Sequence, residues 1–196
     1  MLIKFDFNNM MTDFIGEQGI STQDIEAVKG VAEAAFDYFE DNRGTGMTGW
    51  AELPYNQDEI VNDIIATAAD VRANYDNFVV LGIGGSALGP TAVFNALCHF
   101  RYNDLPKEKR GVKFFVEDNV DPERMASLFD VLDLDKTVFN VITKSGSTSE
   151  TMSQYLIIMN LLKEKYGDKA NEHIIATTDA KNGNLIKIAK KENLKT

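Results

Sequence analysis

The chain is poor in several things that would have settled its class at once. A single cysteine, Cys98, among 196 residues excludes an internal disulfide framework and a multi-cysteine zinc site, and suits a reducing compartment, with the cytoplasm as the expected location. There are only two histidines, His99 and His173, and they stand far apart; with one cysteine they make a poor ligand set, so no metal is expected. Positive charge is scarce too: Lys and Arg number 20 against 30 Asp and Glu, giving a formal charge of −10 and a pI near 4.7. A chain this acidic repels a phosphate backbone unless one face is locally basic, and no lysine stripe is visible, so nucleic acid is not an expected partner. Nowhere do eighteen apolar residues run uninterrupted, and Met1-Leu2-Ile3-Lys4-Phe5-Asp6 lacks a basic segment followed by a long apolar one. Neither a membrane span nor a signal peptide is expected.

What is present is a globular composition, 44% hydrophobic and 10% aromatic, able to build a real core. From Thr22 to Asp41 the residues Ile25, Val28, Ala32, Ala35, Phe36 and Phe39 fall near one face of a helix that Ser21 or Thr22 could cap. Its acidic run, Glu33 to Asp41, reads as the solvent side. Arg43 to Pro54 carries three glycines, two threonines and a proline, which reads as an ordered loop or boundary; Trp50 within it reads as a packing anchor beside Met47 and Leu53. A second helical pattern covers Asp58 to Asn74. From Phe78 the period changes, and short apolar runs alternate with helical ones: Phe78 to Ile83, Thr91 to Phe100; Val112 to Val116, Pro122 to Leu132; Thr137 to Thr143, Glu150 to Tyr166; His173 to Thr177, Asn184 to Lys191. That alternation predicts an α/β fold with right-handed crossovers, a parallel β-sheet flanked by helices in three αβα layers, preceded by an N-terminal helical segment. The expected division is 1–55 for the helical segment and loop, and 56–196 for the sheet domain.

Two of the strand-to-helix turns carry chemistry. Gly82-Ile83-Gly84-Gly85-Ser86-Ala87-Leu88-Gly89-Pro90 offers backbone N–H groups without a Cβ obstacle, and a helix expected to begin near Pro90 or Thr91 adds unpaired amides and a favourable dipole. It also fits the G-x-G-x-x-A dinucleotide fingerprint, but the acid that could hold a ribose, Glu117 or Asp118, comes about 35 residues on instead of the usual roughly 20. The second turn, Thr143-Lys144-Ser145-Gly146-Ser147-Thr148-Ser149-Glu150-Thr151, crowds hydroxyls around one lysine and one glycine. Hydroxyls and amides at a helix start suit the terminal oxygens of a phosphomonoester. The plainer alternative is a capping box, Ser147 with Glu150, that does no more than start a helix.

These turns, together with Met47-Thr48-Gly49-Trp50-Ala51-Glu52-Leu53-Pro54 and Thr177-Thr178-Asp179-Ala180-Lys181-Asn182-Gly183-Asn184-Leu185, resemble the sugar-isomerase (SIS) domain of the bacterial glucose-6-phosphate isomerase family and the segment that precedes it. The resemblance covers nearly the whole chain. It implies an SIS-type sheet domain, an aldose–ketose isomerase of glycolysis and gluconeogenesis, a sugar phosphate (glucose 6-phosphate or fructose 6-phosphate) as ligand, no cofactor, and a homodimer for the complete enzyme. It places phosphate binding on Gly85, Ser86, Thr143, Lys144, Ser145, Gly146, Ser147, Thr148 and Thr151. The glutamate that moves a proton through a cis-enediol, the ring-opening histidine and lysine, and the arginine that steadies the intermediate all belong to motifs beyond this domain in the family. No catalytic residue is therefore expected here, and the chain alone is expected to be inactive. The rival expectations are a stand-alone phosphosugar-binding regulatory module and a dinucleotide-binding oxidoreductase domain.

Overall fold

The computed structural model describes residues 4–196; Met1, Leu2 and Ile3, part of the segment read for a leader, lie outside the described residues. The chain forms two compact units that divide between Asn62 and Asp63.

In the first unit a short helix α1 (Thr12–Ile15) precedes the long α2 (Thr22–Asp41). Ser21 caps α2 reciprocally: its Oγ accepts the Asp24 N–H at 3.1 Å, and the Asp24 carboxylate accepts the Ser21 N–H at 2.8 Å. The apolar stripe of α2 is present as expected, yet no residue of the helix is buried. Local periodicity and capping are enough to set the helix, while burial needs a partner surface. The expected loop at Arg43 to Pro54 is more regular than its glycines imply. Gly46–Glu52 winds as a 3₁₀ helix, entered by Gly46 at φ +47° and tightened by Thr48, whose N–H and Oγ both donate to the Thr45 carbonyl. Arg43 then spans Glu40 and Glu52 at 3.2 and 2.7 Å. Trp50 does not anchor a core: it is 64% exposed, with its ring tilted 5.8 Å from Phe39.

Helix α3 (Asp58–Asn74) leads into the second unit. There β1 (Asn77–Leu81), α4 (Gly85–Leu97), β2 (Lys113–Glu117), α5 (Pro122–Val131), β3 (Thr137–Ile142), α6 (Ser149–Tyr166), β4 (Ile174–Thr177) and α7 (Asn184–Glu192) follow one another. The strands form one parallel sheet in the order β2-β1-β3-β4. Alternate residues define its two faces. Val79, Leu81, Phe139, Val141, Ile174 and Ala176 pack against Met125 and Leu128 of α5, Tyr155, Ile158, Met159 and Leu162 of α6, and Leu185 and Ala189 of α7. On the other face Phe114 stacks at 4.5 Å on Phe94 of α4. On the first face β1, β3 and β4 are buried, whereas the second face is partly covered, with Val80 and Val138 buried and Phe78, Phe114, Asn140 and Ile175 half-buried.

Candidate functional site

In a strand order of β2-β1-β3-β4 the chain moves outward to one side after β1 and to the other after β3. The switch point therefore lies between β1 and β3, where ligands gather in sheets of this kind. Because β1 and β3 are hydrogen-bonded neighbours, with Leu81 opposite Val141, both glycine- and hydroxyl-rich turns leave the same edge of the sheet side by side.

The first turn is tighter than expected. Helix α4 starts at Gly85 and not near Pro90, which lies inside it. Gly84 at φ +56° turns the chain straight into the helix, and the Ser86, Ala87 and Leu88 amides bond back to Ile83 and Gly84. Pro90 only withdraws one donor in the second turn, and the neighbouring Thr91 hydroxyl donates to the Ala87 carbonyl at 2.8 Å. The helix-end amides therefore belong to the glycine turn itself. Gly85 is exposed at the first helical position and Ser86 is half-buried at the second. A Cβ on Gly82 would stand 2.9 Å from the Ser86 Cβ and 3.3 Å from the Ile142 carbonyl, so this glycine lets the turn sit against the end of β3.

The second turn is cinched from behind and open in front. Thr143 is buried; its N–H donates to the Thr177 carbonyl at 3.1 Å, and its Oγ accepts the Gly146 N–H at 3.2 Å and lies 3.3 Å from the Thr148 Oγ. The Lys144 carbonyl accepts from the Thr178 hydroxyl and the Asp179 N–H, and the Ser145 carbonyl accepts the Asn184 N–H at 2.6 Å. Gly146 is buried at φ +68°, where a Cβ would lie 2.1 Å from the Leu185 nitrogen. The side chains of Lys144, Ser145 and Ser147 remain exposed, with the two serine hydroxyls 2.5 Å apart. Thr148 caps α6 by position, but its side chain makes no capping hydrogen bond, and the third helical residue is Thr151, not Glu150. The capping-box alternative is therefore not what this segment builds. An eighteen-residue helix presents its positive end to a turn with hydroxyls and a lysine, a setting that favours an anion. Thr151 itself sits 1% exposed, with its hydroxyl unpartnered among the described residues.

Several residues matter here that the sequence did not single out. Asp179 accepts the Lys181 and Asn182 amides at 2.8 and 2.7 Å, which shapes the loop behind the second turn and holds its carboxyl below the ordinary value. An Asp followed shortly by an Asn-Gly pair, Asn182-Gly183, is the available signal for such a turn. Gln154 is 2% exposed on the core side of α6; its signal is a polar residue placed on an apolar helical stripe. The acids at the end of β2 are engaged rather than solvated. Arg124 Nε stands 3.2 Å from Glu117 and Nη1 stands 3.0 Å from Asp118, while burial pushes the Glu117 carboxyl up against the pull of Arg124. Neither acid is held out for a ribose. Two clefts of about 470 and 300 Å³ lie along α3 and β4 and touch no residue of either turn.

The fold and its two turns define the class: a doubly wound parallel α/β domain with two strand-to-helix turns side by side at the switch point, where ligands of such sheets gather. Residues 63–194 match the phosphoglucose isomerase family, and the chain belongs to that family. It is 47% identical over its whole length to a glucose-6-phosphate isomerase of Carboxydothermus hydrogenoformans and 34% identical over 99% of its length to one of Acetivibrio thermocellus. The chain spans only 42% and 43% of the length of those two curated relatives. Among solved structures, a hypothetical protein from Thermus thermophilus superposes with a TM-score of 0.72 at 33% identity, covering 88% of this chain and 39% of that one. A glucose-6-phosphate isomerase from Chlamydia trachomatis gives a TM-score of 0.56 at 27% identity, covering 70% of this chain and 25% of the other.

Proposed function

We propose that this chain supplies the phosphate-holding part of a cytoplasmic glucose-6-phosphate isomerase, homodimeric when complete, that interconverts glucose 6-phosphate and fructose 6-phosphate. The observation that carries the reading is the unspent N-cap of α6: Thr148 makes no side-chain capping bond, beside the exposed Lys144, Ser145 and Ser147. After the neighbouring strand, Gly85 adds its N–H at the first position of α4 and Ser86 its hydroxyl. Gly146 shapes the second turn, and Thr151 backs it from inside the helix. The proposed domain division stays at 1–55 and 56–196.

Held by its phosphate, the sugar is positioned at a distance from the carbons that react, so binding energy orients it for proton transfer. A general base adds about 10²- to 10⁴-fold to such a transfer. Of the acids around the cradle, Glu117 and Asp118 stand against Arg124 and Asp179 holds loop amides, while Glu150 lies in the opening turn of α6 and is not the family's base by position. The family's proton-transfer residues lie in motifs beyond this domain, and the chain spans 42% of the first relative's length, so the chain alone is expected to bind and not to turn over. A stand-alone regulatory module is the weaker reading, because the curated relatives it matches are named as isomerases.

Calorimetric titration with glucose 6-phosphate, and separately with NAD, tests this. Each hydrogen bond to a charged group contributes about 1.5–3 kcal/mol, so the double variant Ser86→Ala/Thr148→Ala is expected to lose at least tenfold in affinity. NAD binding with no phosphosugar response would overturn the reading in favour of a dinucleotide site.

A further inference from the structure

Gln154 is the most unusual residue of the core. It is 2% exposed on a helical stripe shared with Thr151, Tyr155, Ile158, Met159 and Leu162, and its Oε1 has no hydrogen-bond partner among the described residues. A buried amide with an orphaned oxygen costs stability that leucine or methionine in its place would not. Packing alone does not call for glutamine here.

Its nitrogen is well occupied. Gln154 Nε2 donates to the Glu117 carbonyl at 3.2 Å and to the Asn119 carbonyl at 3.0 Å, so the amide is fixed with its NH₂ toward the end of β2. The same Glu117 carbonyl accepts the Gly82 N–H at 3.2 Å. Gly82 opens the first turn, and its Cα lies so close to Ser86 that an added Cβ would stand 2.9 Å from the Ser86 Cβ. Gln154 itself is rooted in α6, whose start is the second turn. One carbonyl therefore joins three parts: the glycine turn after β1, the end of β2, and the helix that carries the hydroxyl turn.

We propose that Gln154 is a positioning residue that sets the spacing between the two turns, so that Ser86 and the Thr143–Thr148 loop grip one phosphate together. This rests on the reading of both turns as a shared phosphate cradle. Gln154 does not touch the ligand; it acts through Gly82 and Ser86.

The test uses Gln154→Met, which keeps length and volume and removes both donors, with Gln154→Asn as a second variant that keeps polarity but is one methylene too short to reach both carbonyls. Two measurements are needed, amide hydrogen exchange at Gly82 in the unliganded chain and affinity for glucose 6-phosphate. The expected result is Gly82 exchange at least tenfold faster and affinity about tenfold weaker. In a Ser86→Ala background, Gln154→Met should then cost less than a further twofold, because residues acting through one route are not additive. A merely structural Gln154 gives additive losses, which overturns the proposal, as does unchanged Gly82 exchange in both variants. If the unmodified chain binds no glucose 6-phosphate, the cradle reading fails, while the Gly82 exchange still decides whether the coupling exists.

Discussion

At Gly146 a single hydrogen in place of a methyl group decides whether the second turn can close. The position combines φ +68° with a Cβ site 2.1 Å from the Leu185 nitrogen, so an added methyl would meet both backbone strain and a collision with backbone. Gly146→Ala is expected to destabilise the second unit by about 2–5 kcal/mol, summing a disfavoured dihedral and overpacking, as read from urea denaturation midpoints. That Gly146 bends a loop could be read from the sequence. That it must admit Leu185 could not, since the contact joins residues far apart in the chain. Asp179 belongs to the same scale. Its carboxyl sits below the ordinary 3.8 because it accepts the Asn182 and then the Lys181 amide, so its contribution is complete above 3.8 and is lost as the pH falls through the depressed folded value. Exchange protection of the Lys181 and Asn182 amides should therefore persist at pH 4 and fade only at lower pH; fading already at pH 5 would contradict the assignment.

Among the elements, α2 stands where its periodicity and cap put it, at Thr22–Asp41, and α3 where its periodicity does, at Asp58–Asn74. Ser21→Ala breaks a complete capping box and is expected to cost about 1 kcal/mol, seen as a loss of α2 protection in hydrogen exchange. The parallel strands were equally readable, because short β-rich apolar runs alternate with helical ones along the chain. Two elements were misread for local reasons. Pro90 looks like a helix start, but the Gly84-Gly85 pair had already begun α4 five residues earlier. The Gly46–Glu52 segment looks irregular by composition, yet threonine hydroxyls and i→i+3 bonds wind it. Ser147 with Glu150 matched a capping box by spacing alone; where the first helical turn falls is a matter of tertiary anchoring by Thr177, Thr178 and Asn184, which spacing does not encode.

Across the whole molecule, a net charge of −10 is compatible with the proposed anion cradle, because that cradle would draw on backbone amides, hydroxyls and one lysine rather than on a basic surface. Exposed apolar residues are numerous, with Leu97 and Phe100 of the α4 end at 80% and 98% and Leu156 on α6 at 61%. The sequence showed which residues are apolar, but not which of them the described chain leaves uncovered. In a parallel sheet each crossover helix runs back against its strand, so α4 and α6 both aim their amide ends at the β1–β3 edge. Such a field has no proton to lose near neutrality, unlike one made by imidazole. The proton that matters is then the ligand's own. A phosphomonoester sheds its second proton near pH 6, so affinity for glucose 6-phosphate should climb from pH 5 to pH 7 in step with the dianion and then level off.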